Sequence, residues 1–495
     1  MRRLAALLAF ALVAGGASAA LPVATAGAHG HRHEAADELP ALHAVDGDAP
    51  AIVDDQNRQV TLRGVNLNSL GDYFQANQQF PTVVPVTGAD WDRMAAHGFN
   101  VVRLLVSWSR LEPEPGHIDR DYLHTISRAV HAAARRGIYS VIDMHQDAWG
   151  KYIASAPDAA CAPDRHPAIG WDGAPEWATI TDGADRCSSG SREDSEAVKT
   201  AWDSFYADRD GVMTHLVQVW KVIGRHFAHD PAVAGYDLIN EPNHGHRSDF
   251  ADRLRDFYAR GIAAIRAGEH ERAGFSHMVL FEDTVFGVGV APGFSPDTNL
   301  VFSAHNYGES IGNLPIEGLF DYFEALARQY GAPLWIGEYG WFSDPAGQQP
   351  KVVRYAAKED ALLTAGDAWW QWRQACGDPH TVGTFGGTPA SVVVQFQNNG
   401  CPGDVNLGVP PGWSCTWRAS ARAIPGRLTT RVSACDGALD FAGSTPHPGT
   451  ADVWYPGDTA PTVTGAAGPV HRHRVDGGWY VTFRIRGHYQ VHVGV

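Results

Sequence analysis

Two glutamates occupy matching places in two otherwise apolar stretches. Glu241 lies in DLINEPNHG (237–245), where an apolar run ends in Asn240, the carboxylate and Pro242. Glu338 lies in PLWIGEYGW (333–341), 97 residues further on. One carboxylate at the mouth of a buried run is an ordinary way into a turn and says little. Two of them, brought face to face across a sugar-sized gap, can cleave a glycosidic bond. One protonates the leaving oxygen while the other attacks the anomeric carbon, and the retaining course needs a gap of about 5–5.5 Å.

The neighbours suit such a pair. A cation and a hydroxyl donor lower a carboxyl pKa, so Arg103 and Tyr307 could hold Glu338 ionised and oriented. Glu241 has to start protonated, and a second negative charge nearby is expected to raise its pKa. Asn240 could donate to the sugar 2-hydroxyl, a bond that strengthens at the transition state. Trp370 could stack on the sugar ring.

Distant segments must converge for this to work. Eight short β-rich runs recur: RGVNLN (63–68), NVVRLLVSW (100–108), YSVIDMHQD (139–147), AGYDLINEP (234–242), HMVLFED (277–283), LVFSAHNYG (300–308), PLWIGEYGW (333–341) and DAWWQWR (367–373). VVRLLV and SVIDM are nearly continuously apolar, as strands buried on both faces of a parallel sheet must be. Helix-like segments separate many of them: 89–98, 120–137, 211–230 and 249–268, all but the third ending in glycine. The alternation predicts an α/β fold, a (β/α)8 TIM barrel over residues 49–425. A doubly wound open sheet is the alternative, but no glycine-rich phosphate fingerprint follows a strand.

In a barrel the strand ends share one bowl. Strand two carries Arg103. Strand three ends in Asp143, His145, Gln146 and Asp147, strand four in Asn240 and Glu241, strand six in His305, Asn306 and Tyr307, and strand seven in Glu338. Strand eight carries Trp369, Trp370 and Trp372. Strands four and seven face each other across such a barrel. Polar groups at buried strand ends are costly unless a cavity uses them.

The remainder bounds the setting. Sixteen tryptophans suit stacking surfaces as well as cores. A net charge of −16 argues against a nucleic-acid partner. Arg2, Arg3, the apolar run 4–16 and Ala17-Ser18-Ala19 read as a signal peptide over 1–19. No other stretch of about 20 apolar residues could span a membrane, so no transmembrane segment is expected in the mature chain. Residues 20–48 read as a solvated leader, whose His29, His31 and His33 are a weak metal-binding pattern. Six cysteines in an exported chain favour disulfides; order along the chain suggests Cys161–Cys187, then Cys376–Cys401 and Cys415–Cys435. Residues 153–210 read as an insertion on the barrel rim, either a lid or a solvated decoration. Residues 426–495 alternate apolar and polar around turns such as Asp476-Gly477-Gly478, predicting a small antiparallel β-sandwich.

The set NVVRLLVSW, DMHQD, DLINEP, HNYG and IGEYG resembles the clan of retaining glycosidases on (β/α)8 barrels, and within it glycoside hydrolase family 5. DMHQD together with SWSRLEPEPG (107–116) is similar to the endoglycoceramidase group, over about residues 55–495. The resemblance implies Glu241 as acid/base, Glu338 as nucleophile, and Arg103, His145, Asn240, His305, Tyr307 and Trp370 around the sugar at the cleaved bond. Asp147 is implied as a hydroxyl-binding carboxylate. No metal or organic cofactor is implied.

A secreted endoglycosylceramidase, splitting glycan from ceramide, is therefore expected, touching a lipid or micelle surface transiently. Trp149, Tyr152, Phe286 and Phe342 could line a ceramide groove. The alternative is the same chemistry on a steryl glucoside, a cell-wall oligosaccharide or a furanoside; a non-catalytic carbohydrate binder is the minor alternative. The sequence departs from the group's pattern in the insertion, in HNYG and in the long loop 374–412.

Overall fold

The computed structural model describes residues 39–74, 81–156, 159–168, 170–310, 314–341, 345–373, 375 and 414–495. Eight parallel strands close into a barrel in chain order: Leu62–Leu67, Val101–Ser107, Tyr139–His145, Val233–Asp237, Met278–Phe281, Leu300–Asn306, Leu334–Tyr339 and Gly366–Trp369. Each lies within one of the eight expected runs or within a residue of it. The second, third and seventh are buried at every position, which is why their apolar runs are continuous. The fourth stops at Asp237, so Asn240 and Glu241 sit just past a strand end.

Helices Gly88–Ala96, Arg120–Ala134, Val212–His226, Phe250–Glu271, Ile316–Tyr330 and Pro345–Leu362 surround the barrel. Asp119 starts the second of them by accepting from the Tyr122 N–H at 2.9 Å, one of the donors a helix start leaves unpaired. Residues 282–299, between the fifth and sixth strands, form no helix.

The insertion is packed rather than a solvated decoration. Its helix Glu196–Tyr206 buries Trp202 and Phe205 against Trp149, with ring centroids 5.0 and 5.4 Å away. The Cys161–Cys187 disulfide is formed, as is Cys415–Cys435. Cys376, Cys401, Phe342, the signal segment and the three leader histidines lie outside the described residues.

The expected domain limits need correction. Three strands before the barrel, Leu42–Val45, Ala51–Asp54 and Arg58–Val60, belong to one nine-stranded antiparallel sheet with Ser420–Pro425, Arg427–Ser433, Leu439–Pro456, Thr462–Thr464, Val470–Val475 and Gly478–Gly494. Val60 pairs with Ala423. The leader thus does not extend to 48, and the sheet does not begin at 426. Pairing between the two ends of a chain leaves no mark in either end alone. Leu42, Ala44 and Ile52 also share an apolar cluster with Val101, Met278, Val301 and Trp335, closing the N-terminal end of the barrel.

The sheet folds over itself. Phe441 pairs with Val491, and Phe483 with Ala451, ladder positions roughly 33 Å apart if the strands ran straight. Yet the Phe441 and Phe483 rings are 6.5 Å apart. The register shift between Thr445 and Gly449 is the corner. The packing is that of a sandwich, although the hydrogen bonding is that of a single sheet.

Candidate active site

Arg103 organises the bowl. It is fully buried, where an unpaired charge would be prohibitive, and it is ringed by acceptors. Nε donates to Asp237 Oδ2 at 3.0 Å. Nη1 donates to Glu338 Oε1 at 2.7 Å and to Asn66 Oδ1 at 3.2 Å. Nη2 reaches Asn240 Oδ1 and Glu282 Oε1, both at 2.9 Å, and Asp143 Oδ1 at 3.0 Å. Asp143, Asp237 and Glu282 have the spacing of a metal site, but the guanidinium fills the space between them.

Glu338 is held from two sides, by Arg103 and by the Tyr307 hydroxyl, which donates to Oε2 at 2.8 Å. Across the bowl stands Glu241. An oxygen of each of the two carboxyls lies within 4.8 Å of the other. An inverting pair, which must admit a water, stands about 6.5–9.5 Å apart. His305 sits between them: Nδ1 is 2.9 Å from Glu241 Oε1 and 3.6 Å from Glu338 Oε2, and Nε2 is 3.3 Å from Glu282 Oε1. Burial disfavours its charge, but the surrounding carboxylates hold its pKa well above the usual value. As an imidazolium it bridges the acids and offers no lone pair to a metal.

The expectation of a raised pKa for Glu241 is corrected. Burial pushes it up, but the hydrogen bond and charge of His305 and the charge of Arg192 outweigh burial and hold it below the ordinary range. Arg192 comes from the insertion, and its Nη2 lies 2.9 Å from Glu241 Oε2. Backbone geometry also singles Glu241 out. Its φ is +39°, a region non-glycine residues rarely adopt and one where strain gathers at functional sites. The Glu241 N–H donates to Glu282 Oε2 at 2.7 Å, and Gln146 Nε2 donates to the carbonyls of Asn240 and Glu241 at 2.6 and 3.0 Å.

The other expected residues converge here too. Asn240 gives one amide hydrogen to the Gln146 carbonyl at 2.9 Å; the amide carries a second. His145 lies between Asp143 (2.8 Å) and Asp147 (3.3 Å), which raise it to about 10 despite its burial. Asp147 is also ion-paired with Arg192. Trp370 is buried, with one face stacked on His145 at 5.4 Å and 22°. Of the aromatics expected to line a lipid groove, Trp149 is instead core, and Tyr152 is half-buried beneath Lys151. Phe286 is 51% exposed, next to His244.

Sequence reasoning missed Asn66, Asp237, Glu282 and Arg192. Glu282 ends the run HMVLFED and was open to the same strand-end logic; burial and the neighbouring Asp237 raise it to about 8, against the opposing charges of His305 and Arg103. Arg192 has no local signal, because its place depends on how the insertion folds back.

A bowl of this kind at the C-terminal ends of barrel strands is where this fold binds substrates. The family described as Cellulase (glycosyl hydrolase family 5) matches residues 53–375, more than half of the chain. The chain belongs to glycosyl hydrolase family 5. The family 5 chain is 40% identical to an endogalactoceramidase of known crystal structure, over 92% of this chain and 99% of that one, with a TM-score of 0.81. It is 25% identical to endo-glycoceramidase II from Rhodococcus sp., over 89% and 98% of the two chains, with a TM-score of 0.69. It is 28% identical to endoglycoceramidase I of Rhodococcus hoagii over 46% of this chain, an alignment that spans 42% of that relative's own length. The protein is a glycoside hydrolase.

Proposed function

We propose that this family 5 enzyme is a secreted, retaining endoglycosylceramidase that hydrolyses the β-linkage between the glycan and the ceramide of glycosphingolipids. The observation that carries the reading is the pair Glu241 and Glu338, oxygens within 4.8 Å, at the ends of barrel strands four and seven. The named relatives support the lipid substrate.

Glu338, fixed by Arg103 and Tyr307, attacks the anomeric carbon. Glu241 protonates the glycosidic oxygen, and ceramide leaves. Glu241, now ionised, takes a proton from water, which attacks the glycosyl-enzyme and frees both Glu338 and the glycan. Asn240, His145, Asp147, His305 and Trp370 hold the sugar. Because Glu241 is held below its ordinary value of 4.5, its acid form is populated only in the acid range beneath that value. The rate on poor leaving groups should therefore fall as pH rises towards 7, a limb a pH–kcat/KM profile reads directly.

The test is mass spectrometry of products from a glycosphingolipid panel in mild detergent, with alkyl, aryl, steryl and oligosaccharide β-glycosides alongside. Free ceramide plus intact glycan is the expected result. The 40% identity to the endogalactoceramidase, against 25% to endo-glycoceramidase II, makes galactose-linked ceramides the first to try. Turnover of another glycoside with silence on every ceramide would remove the lipid substrate and keep the two-carboxyl chemistry. Glu338→Gln should be inert on every substrate. Glu241→Gln should lose most activity on ceramide glycosides and less on activated aryl glycosides; equal losses would count against its acid role. Export predicts that protein recovered from culture medium begins at Ala20.

A further inference from the structure

The insertion reaches the two-carboxyl centre through Arg192. Its guanidinium is fixed on several sides. It stacks on Trp171 with Cζ 4.5 Å from the ring centroid. Nε bonds Glu193 Oε1 at 3.0 Å. Glu193 is itself buried, accepting from the Ala148 N–H at 2.9 Å and from Asn243 Nδ2 at 3.1 Å. Asn243 lies two residues beyond Glu241, so the same small network holds both the arginine and the turn that carries the carboxyl. The far end of the guanidinium, Nη2, meets Asp147 and, at 2.9 Å, Glu241 Oε2.

We propose that Arg192 is a positioning residue for the acid/base, the means by which the insertion fixes the orientation and charge of the Glu241 carboxyl. The inference rests on Glu241 being the acid/base of the reaction proposed above.

The two half-reactions ask opposite things of Glu241. The first needs its proton, and the second needs its ionised form to take one from water. A guanidinium at hydrogen-bond distance favours the ionised form. Arg192 thus supports the water-activating step and confines the acid step to lower pH. Other charges face Glu241 from every neighbouring element: His305 on strand six, Asp147 beyond strand three, Glu282 and Asp283 beyond strand five, Glu338 on strand seven, and Glu193 beside Arg192. His305 and Arg192 are the cations among them, and only Arg192 belongs to the insertion.

The test compares the wild type with Arg192→Gln and Arg192→Lys. The Glu241 carboxyl is titrated by carbon-13 NMR on glutamate-labelled protein, with Glu241→Gln identifying its signal. In Arg192→Gln the titration should move up by about one pH unit, the low end of what an adjacent opposite charge causes. In Arg192→Lys it should stay near the wild-type position. Kinetics should move with it. The basic limb of kcat/KM on a poor leaving group and the acidic limb of kcat on an activated aryl glycoside should both shift alkaline by the same amount. A purely structural arginine would lower rates and leave both limbs and the titration in place, which would overturn the proposal, as would an Arg192→Lys protein that titrates like Arg192→Gln. The carboxyl titration does not depend on the substrate, whereas the leaving-group test on Glu241→Gln judges the acid/base assignment itself, so the two failures are distinguishable.

Discussion

His145 shows how a single buried group ties the site to stability. Its neighbours Asp143 and Asp147 raise it to about 10, against about 6.5 in an unfolded chain. A raised histidine stabilises the fold fully below its unfolded pKa, and that stability is lost as pH climbs through the folded value. Between about pH 6.5 and 10 the loss is roughly 1.4 kcal/mol per pH unit for one proton. His145→Gln should therefore be less sensitive to pH across this window, with urea unfolding at pH 6.5 and 9.5 as the measurement; equal losses would contradict the assignment. Tyr307 offers a cleaner catalytic test. Its hydroxyl donates to Glu338, so Tyr307→Phe should keep the fold and lower kcat by about 100-fold, in line with removal of one well-placed donor. A rate within twofold of wild type would remove Tyr307 from the mechanism.

At the scale of elements the insertion and the first helix are the informative cases. The Cys161–Cys187 bridge closes a loop of 26 residues, and a loop of that size contributes about 3 kcal/mol by restricting the unfolded chain. A Cys161→Ser/Cys187→Ser protein should unfold at lower denaturant and lose activity out of proportion, because Arg192 stands a few residues beyond the bridge. Intact activity at a reduced midpoint would separate the bridge from the site. Gly98, just past the helix Gly88–Ala96, has φ +74°, and a Cβ there would meet the Trp454 ring at 2.2 Å. It is both a turn and one of the contacts between barrel and sheet. Gly98→Ala should cost more than about 1 kcal/mol, whereas alanine at Gly116, where nothing lies within 4 Å, should bring only its backbone strain.

For the whole molecule, the barrel and the sheet are joined by buried charge. Glu359 and Asp360, near the end of the helix Pro345–Leu362, meet Arg63 of the first barrel strand, Arg418 and Arg431. Burial alone would raise both acids, yet the three arginines hold both low, with Asp360 at about 2. A depressed carboxyl stabilises above its unfolded pKa and ceases to as pH falls through the folded one, so Asp360 places part of the acid unfolding between about pH 4 and 2. Arg431→Met leaves the pair under-compensated, and breaking a buried pair from one side costs about 3–5 kcal/mol. Calorimetry should show one lowered transition for barrel and sheet together, since the sheet takes strands from both ends of the chain. Two separate transitions would show that the network does not couple them.

The sequence by itself pointed to the barrel, because eight continuous apolar runs with intervening amphipathic helices are local patterns of a parallel sheet buried on both faces; the closure that separates a barrel from an open doubly wound sheet is tertiary. It also determined which strand ends carry Glu241, Glu338, His145 and Tyr307, since the period of a strand and its stop at proline or glycine are local as well; Arg103 lies inside the second strand. Tertiary structure alone decided the rest. Arg192 touches Glu241 only because the insertion folds back over the bowl. Val60 pairs with Ala423 only because the chain ends meet. Trp149 became core because Trp202 packs on it. The charge of Glu241 turned opposite to expectation for the same reason: a pKa is the sum of all the charges in reach, and most of those around Glu241 come from other segments of the chain.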